Sequence, residues 1–322
     1  MKKKFSFFIL FILVNLAAIA QQEPLYSNYM LSRPVTNPGF VGADKTINAI
    51  FINRTMFAGI EGKPVTSVFG IEAPIDVFGA RSGLGLVIMS DKLGFQNSVN
   101  VDATYAYHHV LPSGTLGGGV TIGFNNYAIV SSSWTPIEGD YWTTAASDPA
   151  VPNDFSTLTL GIGAGVYYET PKYYLGLSVS KLNSADVVYS TETEEVGTVY
   201  YYVPTYYLTG AYNIELPDPL FDLHPSFLLR SDLAAFSLDV NGTIYYKDKY
   251  WAGFGLRVSP SNLSALTFLG GLELTNGLSV GYALDINPGM FLGGLTSHEV
   301  LIRYSFNLET KRNQKYKSVR YL

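Results

Sequence analysis

The sequence predicts an all-β protein, a transmembrane antiparallel β-barrel of about 14 strands with short periplasmic turns and long extracellular loops. Three observations carry this expectation. The first is alternation without surface charge. In STLTLGIGAGVYYETPKYYLGLSVSKL, residues 156–182, Leu158, Leu160, Ile162, Ala164 and Val166 share one face of an extended chain. Thr157, Thr159, Gly161, Gly163 and Gly165 share the other, because successive strand side chains point opposite ways. A soluble hairpin answers its apolar face with Lys, Glu and Arg; here the second face is glycine and threonine. The second observation is composition: 15% of residues are charged and 47% hydrophobic, whereas an ordinary soluble chain is about 25% charged. The third is that connection length depends on strand parity.

In chain order, MKKKFSFFILFILVNLAAIAQQ has three lysines, an apolar run from Phe5 to Leu16 and the small-residue exit AIA before Gln21. That layout is a secretory signal peptide over 1–20. Its loss takes the formal charge from −5 to −8, a poor balance for binding nucleic acid, whose phosphates call for Lys and Arg. No later stretch holds the roughly 20 continuous apolar residues of a spanning helix, so a membrane would be crossed by strands. Segment 21–45 carries Tyr26, Tyr29, Met30, Leu31, Pro34, Pro38 and Phe40. It is too apolar for a free linker and too broken by proline for a helix, and is expected to dock in the periplasm or to plug the periplasmic mouth or lumen.

The barrel is expected over 46–308, with strands near 46–57, 64–75, 82–91, 96–110, 115–128, 156–169, 172–182, 200–214, 222–231, 234–247, 249–259, 264–274, 277–287 and 298–308. LPSG, ETPK, KDK and TNG are tight turns after even strands, whereas 129–155, 183–199 and 288–297 are long loops after odd ones. The links 76–81 and 215–221 are longer than the other even-numbered turns. Short turns on one side and long loops on the other are the habit of outer-membrane barrels, the short ones periplasmic. The pairs Tyr167-Tyr168 and Tyr173-Tyr174 beside ETPK are expected at headgroup level. Residues 309–322 form a basic periplasmic tail in which Lys311, Arg312, Lys315, Lys317 and Arg320 are candidate partner contacts.

Strand parity also sorts the ionised residues. Arg54, Glu72, Asp102, Arg230, Asp239, Arg257, Glu273, Asp285 and Arg303 all fall opposite apolar faces and are expected in the lumen. A charge facing lipid at mid-bilayer would cost about 2–4 kcal/mol. Five acids and four arginines nearly balance, which suits a braced, filled interior better than an ion-selective pore. Asp285 and Arg303, on the last hairpin, are expected to pair directly.

Catalysis finds little support. There is no cysteine, and His108, His109, His224 and His298 have no metal-ligand spacing. Ser297 and Glu299 flank His298, but in a strand both point away from it, so the three cannot form a relay. No catalytic residue, cofactor or metal is assigned. The carboxylates of 129–155 and 183–199 are scattered and do not form a calcium motif.

The mature N-terminus QQEPLYSNYMLSRPVTNPGFVGA resembles the opening of the PorP/SprF family of Bacteroidetes outer-membrane proteins. NRTMFAGIEGKPVTSVFGIEAPI, SGLGLVIMSDKLG, YYLGLSVSKL, YLTGAYNIEL, HPSFLLRSD, SLDVNGTIYYKDKYWAGFGLR and SHEVLIRYSFNL resemble its later segments in order and spacing, so the resemblance covers roughly 22–310. Phe57 stands where the family usually has Trp, keeping a ring but losing the indole N–H. The resemblance implies a non-enzymatic barrel of type IX secretion and gliding motility, serving the secretion or surface attachment of an adhesin or enzyme cargo. It also implies a periplasmic partner with a peptidoglycan-binding domain and contact with the ring components of the secretion machine; no site residues come with it. The alternatives are a passive channel or uptake porin for small solutes and, further off, a barrel-embedded hydrolase.

Overall fold

The computed structural model describes residues 24–44, 46–130, 154–190, 195–260, 262–288 and 296–307. Residues 1–23 and 308–322, with the signal-peptide and basic-tail expectations, lie outside the described residues. The strands are β1 (Thr46–Thr55), β2 (Val65–Val77), β3 (Ala80–Leu93), β4 (Gln96–Leu111), β5 (Gly114–Ile129), β6 (Phe155–Glu169), β7 (Tyr173–Ser180), β8 (Ala185–Ser190), β9 (Glu195–Tyr202), β10 (Thr205–Tyr212), β11 (Ile214–Glu215), β12 (Phe221–Ser231), β13 (Phe236–Tyr246), β14 (Tyr250–Ser259), β15 (Asn262–Thr275), β16 (Leu278–Ile286) and β17 (Thr296–Asn307). Consecutive strands pair antiparallel around the ring; β7 passes to β10, β10 to β12, and β17 returns to β1. β11 only extends the β12 ladder, and β8 and β9 form a separate hairpin, which leaves 14 strands in a closed barrel. Closure pairs the backbone groups that an open edge would expose to hydrocarbon.

The expected strands fall within a few residues of the observed ones, with one informative exception. Residues 195–202 belong to the β8–β9 hairpin, and the barrel strand starts only at Thr205, after Pro204. Proline has no N–H for a ladder, so the chain breaks there. The expected loop 183–199 therefore contains ordered strand, and Val187 and Tyr202 of the hairpin pack on Tyr127 and Ile129 of β5. The link between β2 and β3 is shorter than expected. Only Phe78 and Gly79 intervene, at φ 53° and 80°, the left-handed pair that matches the twist of a two-residue hairpin.

Apolar side chains line the outside. Phe51, Phe69, Leu84, Val101, Ile122, Leu160, Leu177, Phe254 and Ile302 are all exposed, as a lipid-facing wall requires. Apart from the cluster under the β8–β9 hairpin, the buried apolar clusters lie inside, against 24–44, whose contacts reach strands all around the ring. Tyr26 packs on Ile52, Val68 and Leu301. Tyr29 meets Tyr207 and Leu228, and Met30 lies against Trp251 and Leu269. Phe40 stacks on Tyr167 at 4.1 Å and meets Tyr174 edge-on at 5.4 Å. A 14-stranded ring is wider than its own side chains can fill, and this segment occupies the difference.

The segment descends the barrel. The carbonyl of Pro24 accepts from Arg230 at the long-loop end of β12, and Asp44 reaches Arg303 near the short-turn end of β17. Between them come three single helical turns, Tyr29–Leu31, Arg33–Thr36 and Pro38–Phe40, the last two with proline in the first two positions, where a missing N–H costs nothing. The segment is thus not confined to the mouth nearest β1. Tyr167 and Tyr174, expected at headgroup level, point inward to hold Phe40, while Tyr173 remains outside.

The glycine face of β6 has its reason here. A methyl group at Gly165 would overlap the Asn37 side chain, one at Gly119 the carbonyl of Pro38, and one at Gly83 the carbonyl of Val41. Only glycine admits so close an approach of backbone to wall. Gly119→Val should therefore unseat Pro38 and lower the temperature at which the barrel loses its compact mobility on heat-modifiable gels. Gly118→Val, whose added carbon finds its nearest neighbour at 3.8 Å, should leave that temperature unchanged. Equal behaviour of the two would show that the segment does not press on the wall.

Candidate functional site

The strongest concentration of chemistry lies in the long-loop half of the lumen, where Ser27 and Asn28 enter a cluster of buried charge. β1 contributes Arg54, β13 Asp239, β14 Arg257, β16 Asp285 and β17 Glu299, all buried from inward positions, the last four with an apolar outward neighbour. Arg54 donates to Asp285 at 2.5 Å and to Glu299 at 3.1 Å. Arg257 donates to Asp239 at 2.7 Å and to Asp285 at 3.0 Å. Thr267 adds a hydroxyl to Asp285 at 2.8 Å. Arg230, also buried, contributes a third guanidinium beside Pro24.

The segment completes the cluster. Glu299 accepts the backbone N–H groups of Ser27 and Asn28, both at 2.8 Å, and the Asn28 carboxamide at 2.9 Å. The Ser27 hydroxyl donates to Asp285 at 2.9 Å and accepts from Arg54 at 2.9 Å and Arg257 at 3.2 Å. One hydroxyl thus uses its single proton and both lone pairs among three charged partners. Three guanidiniums face three carboxylates with almost no solvent access, so each ion depends on the others for the stabilisation water would otherwise supply.

A second, more accessible group sits at the short-turn end. Arg303 donates to Asp44 at 2.9 Å, and Arg33 to Glu169 at 2.6 Å. Glu72 accepts from the N–H of Gly42 at 2.8 Å and from Asn48 at 3.0 Å. His108 meets the Val41 carbonyl at 2.9 Å and the Tyr167 hydroxyl at 3.2 Å. Tyr29 hydrogen-bonds Ser226 at 3.1 Å. These contacts hold the segment at its lower end as the charge cluster holds its upper end.

Of the charges expected inside, Arg54, Arg230, Asp239, Arg257 and Asp285 come together, and Glu72 and Arg303 lie apart at the short-turn end. Asp102 lines the upper wall of β4, and Glu273 accepts the N–H of Gly277 in the β15–β16 turn. The expected Asp285–Arg303 pair is absent. Asp285 stands opposite Ser297 and Arg303 opposite Ser279, roughly 20 Å away along the strand. The hairpin register, set by a loop whose fold the sequence does not reveal, runs differently from a symmetric guess. Glu299 is the acid that the sequence reading missed, although it shares parity with Arg303. Asp44 and Glu169 were also missed; Asp44 precedes the first strand and has no alternating pattern, whereas Glu169 shares the inward parity of Gly165 and Tyr167 at the end of β6.

Ser297 and Glu299 are buried inside, while His298 bonds Tyr282 at 2.6 Å and Thr296 at 2.9 Å. Strand alternation thus separates the three, as expected. Among the described residues no group of three or more His, Asp or Glu is placed to hold a metal ion.

A family model described as "Type IX secretion system membrane protein PorP/SprF" matches residues 18–304. No curated protein matches the chain in sequence. Among solved structures, the chain is similar to the toluene transporter TbuX of Ralstonia pickettii, at 11% identity and TM-score 0.46, over 84% of this chain and 92% of that one. It is similar to the CymD monoaromatic hydrocarbon channel at 11% identity and TM-score 0.46, over 90% and 94%. An outer membrane protein of Acinetobacter baumannii matches at 5% identity and TM-score 0.47, over 81% and 99%.

Glu299→Gln leaves Arg54 without one of its two carboxylates in a dry site and should cost about 3–5 kcal/mol of stability. Adding Arg54→Gln should cost less than the sum of the two single changes, measured by urea unfolding in detergent. Strictly additive losses would show that the two charges act independently.

Proposed function

The chain belongs to the PorP/SprF family of type IX secretion system membrane proteins, and on that premise we propose that it is a non-enzymatic outer-membrane barrel that binds a partner or a secreted cargo instead of conducting solutes. The observation that carries this reading is segment 24–44, which crosses the lumen and is tied to the wall by ion pairs, aromatic packing and close backbone contacts. A porin needs a water-filled passage along its axis; a docking barrel needs a rigid wall and two shaped ends. In this reading a signal peptide over 1–20 exports the chain. The short-turn end faces the periplasm, and the basic tail with Lys311, Arg312, Lys315, Lys317 and Arg320 meets a peptidoglycan-binding partner or ring component there. The long-loop end, with the β8–β9 hairpin, faces outward toward the cargo, an adhesin or an enzyme held for secretion or surface attachment.

Conductance tests the central claim. The full chain in planar bilayers should conduct poorly, and deletion of 24–42 should leave a folded barrel with sharply higher single-channel conductance. A full chain that conducts like an open porin would establish the channel reading instead. A deletion that folds, stays closed and loses its periplasmic partner in pull-down would assign the segment to docking.

Orientation is tested separately at two exposed turn tips, Leu233 and Phe78, in a chain with no native cysteine. Leu233→Cys should react with an impermeant maleimide on whole cells, and Phe78→Cys only after the outer membrane is permeabilised. The reverse pattern would invert the topology.

A further inference from the structure

β6 outgrows its neighbour. It runs from Phe155 at the long-loop end to Glu169 at the short-turn end, whereas β7 pairs with it only from Glu169 up to Ala164. Beyond β7, Lys181 and Ser184 take left-handed conformations, at φ 51° and 42°, and turn the chain out of the ladder. It leads into β8, which joins no wall strand; Val187 of β8 packs instead on the inward-facing Tyr127 and Ile129 of β5. Among the described residues, the edge of upper β6 that faces the β7 side therefore has no strand beside it.

Two features mark this edge as a receiver of backbone. The first is its lowest rung. The Leu182 N–H donates to the Ile162 carbonyl at 2.7 Å, while the Asn183 carboxamide accepts the Ile162 N–H at 2.9 Å and donates to the Leu160 carbonyl at 2.7 Å. One side chain thus makes the bonds that the peptide groups of a paired strand would make. The same bonds show that even-numbered residues of β6 turn their N–H and C=O groups toward this edge, because alternate residues of an antiparallel strand bond to opposite sides. Above that rung, the Leu160 N–H and both backbone groups of Leu158 have no partner among the described residues. The second feature is lack of protection. Ser156-Thr157-Leu158-Thr159-Leu160 carries neither charge nor proline, the usual guards of a free edge. The side chains beside it are apolar and open, with Leu158 64% and Leu182 49% exposed.

We propose that the Leu158–Leu160 edge receives an extended polypeptide segment, which continues the ladder where β7 leaves it. Only an extended backbone offers N–H and C=O groups at the two-residue spacing of this edge, so the occupant is a peptide strand and not a lipid or a small solute. Apolar side chains at its alternate positions would lie against Leu158, Leu160 and Leu182. The edge stands at the outer margin of the apolar band, since Leu158 lies opposite Asn126 and Ser156 bonds the Asn126 side chain at 2.6 Å. Unpaired backbone is costly beside hydrocarbon, and a segment arriving from the long-loop side would cover it without entering the lumen. The inference rests on the partner-binding reading for the owner of that segment, a secreted protein held at the long-loop end; the edge itself is read from the wall.

The chain has no cysteine, so Leu158→Cys can carry a single benzophenone maleimide, and secreting cells that bear it are irradiated. The expected product is an adduct with another polypeptide, linked within a run free of proline. Leu160→Pro removes an edge-facing N–H and no bond to β5, so it should lower the yield about tenfold, as loss of a hydrogen bond does. Heat-modifiable gel mobility checks that this variant is a closed barrel. Leu177→Cys, also exposed but on β7, where both edges are paired, should give no such adduct. Hydrogen exchange supplies a second route that needs no variant. The Leu158 and Leu160 amides should exchange freely in the purified full chain and about tenfold more slowly in outer membranes from secreting cells. The proposal is overturned by the absence of an adduct, by an adduct with lipid or a second copy of this chain alone, by a yield that Leu160→Pro leaves intact, or by equal exchange in the two preparations. A chain that fails here yet conducts poorly would lose the edge and keep the partner-binding reading.

Discussion

Two consecutive residues, Ser27 and Asn28, are held by charges drawn from strands that lie far apart in sequence, and the interior arrangement depends on that grip. Glu299 takes both of their backbone N–H groups, and the Ser27 hydroxyl stands among Arg54, Arg257 and Asp285. Without the segment, the arginines and carboxylates would face a wide water-filled tube, where their mutual attraction is screened. With it, they are dry, and each becomes indispensable to its neighbours. The same contacts fix the height of the segment, so Phe40 reaches Tyr167 and Gly42 reaches Glu72 further down. Strong interactions at the top therefore set the register of weaker ones at the bottom.

The wall is shaped to match. Glycine on the inner face of β3, β5 and β6 removes Cβ atoms where the Pro38–Val41 turn lies against the strands. That choice forgoes β-propensity, since glycine is a poor strand former. The loss is offset by long ladders to both neighbours and by the apolar outer face that lipid covers. Along the same strands Gly123 and Gly161, further up, give their space to the side chains of Asp102 and Asn125, so one residue type admits the segment below and neighbouring wall side chains above.

The two ends of the barrel differ for reasons of backbone geometry. Turns after even-numbered barrel strands are mostly two or three residues, with left-handed conformations at Phe78, Lys247 and Asp248 that fit the strand twist. The opposite end carries the longer connections and the β8–β9 hairpin, which packs on Tyr127 and Ile129.

The sequence by itself determined the barrel, the strand count, the outward apolar face and most of the inward charges. These follow from a period of two, which is a local property: each strand reports which side chains face which way without knowledge of its neighbours. Tertiary structure alone decided which inward charges meet. Asp285 and Arg303 share a hairpin yet lie far apart, because register depends on the loop, whereas Arg54 and Asp285 are distant in sequence and touch. It also decided that Tyr167 and Tyr174 turn inward to grip Phe40 and that Glu299 anchors the segment. Which side chain meets which across a lumen depends on ring size, stagger and the path of the enclosed chain together, and alternation within one strand carries none of the three.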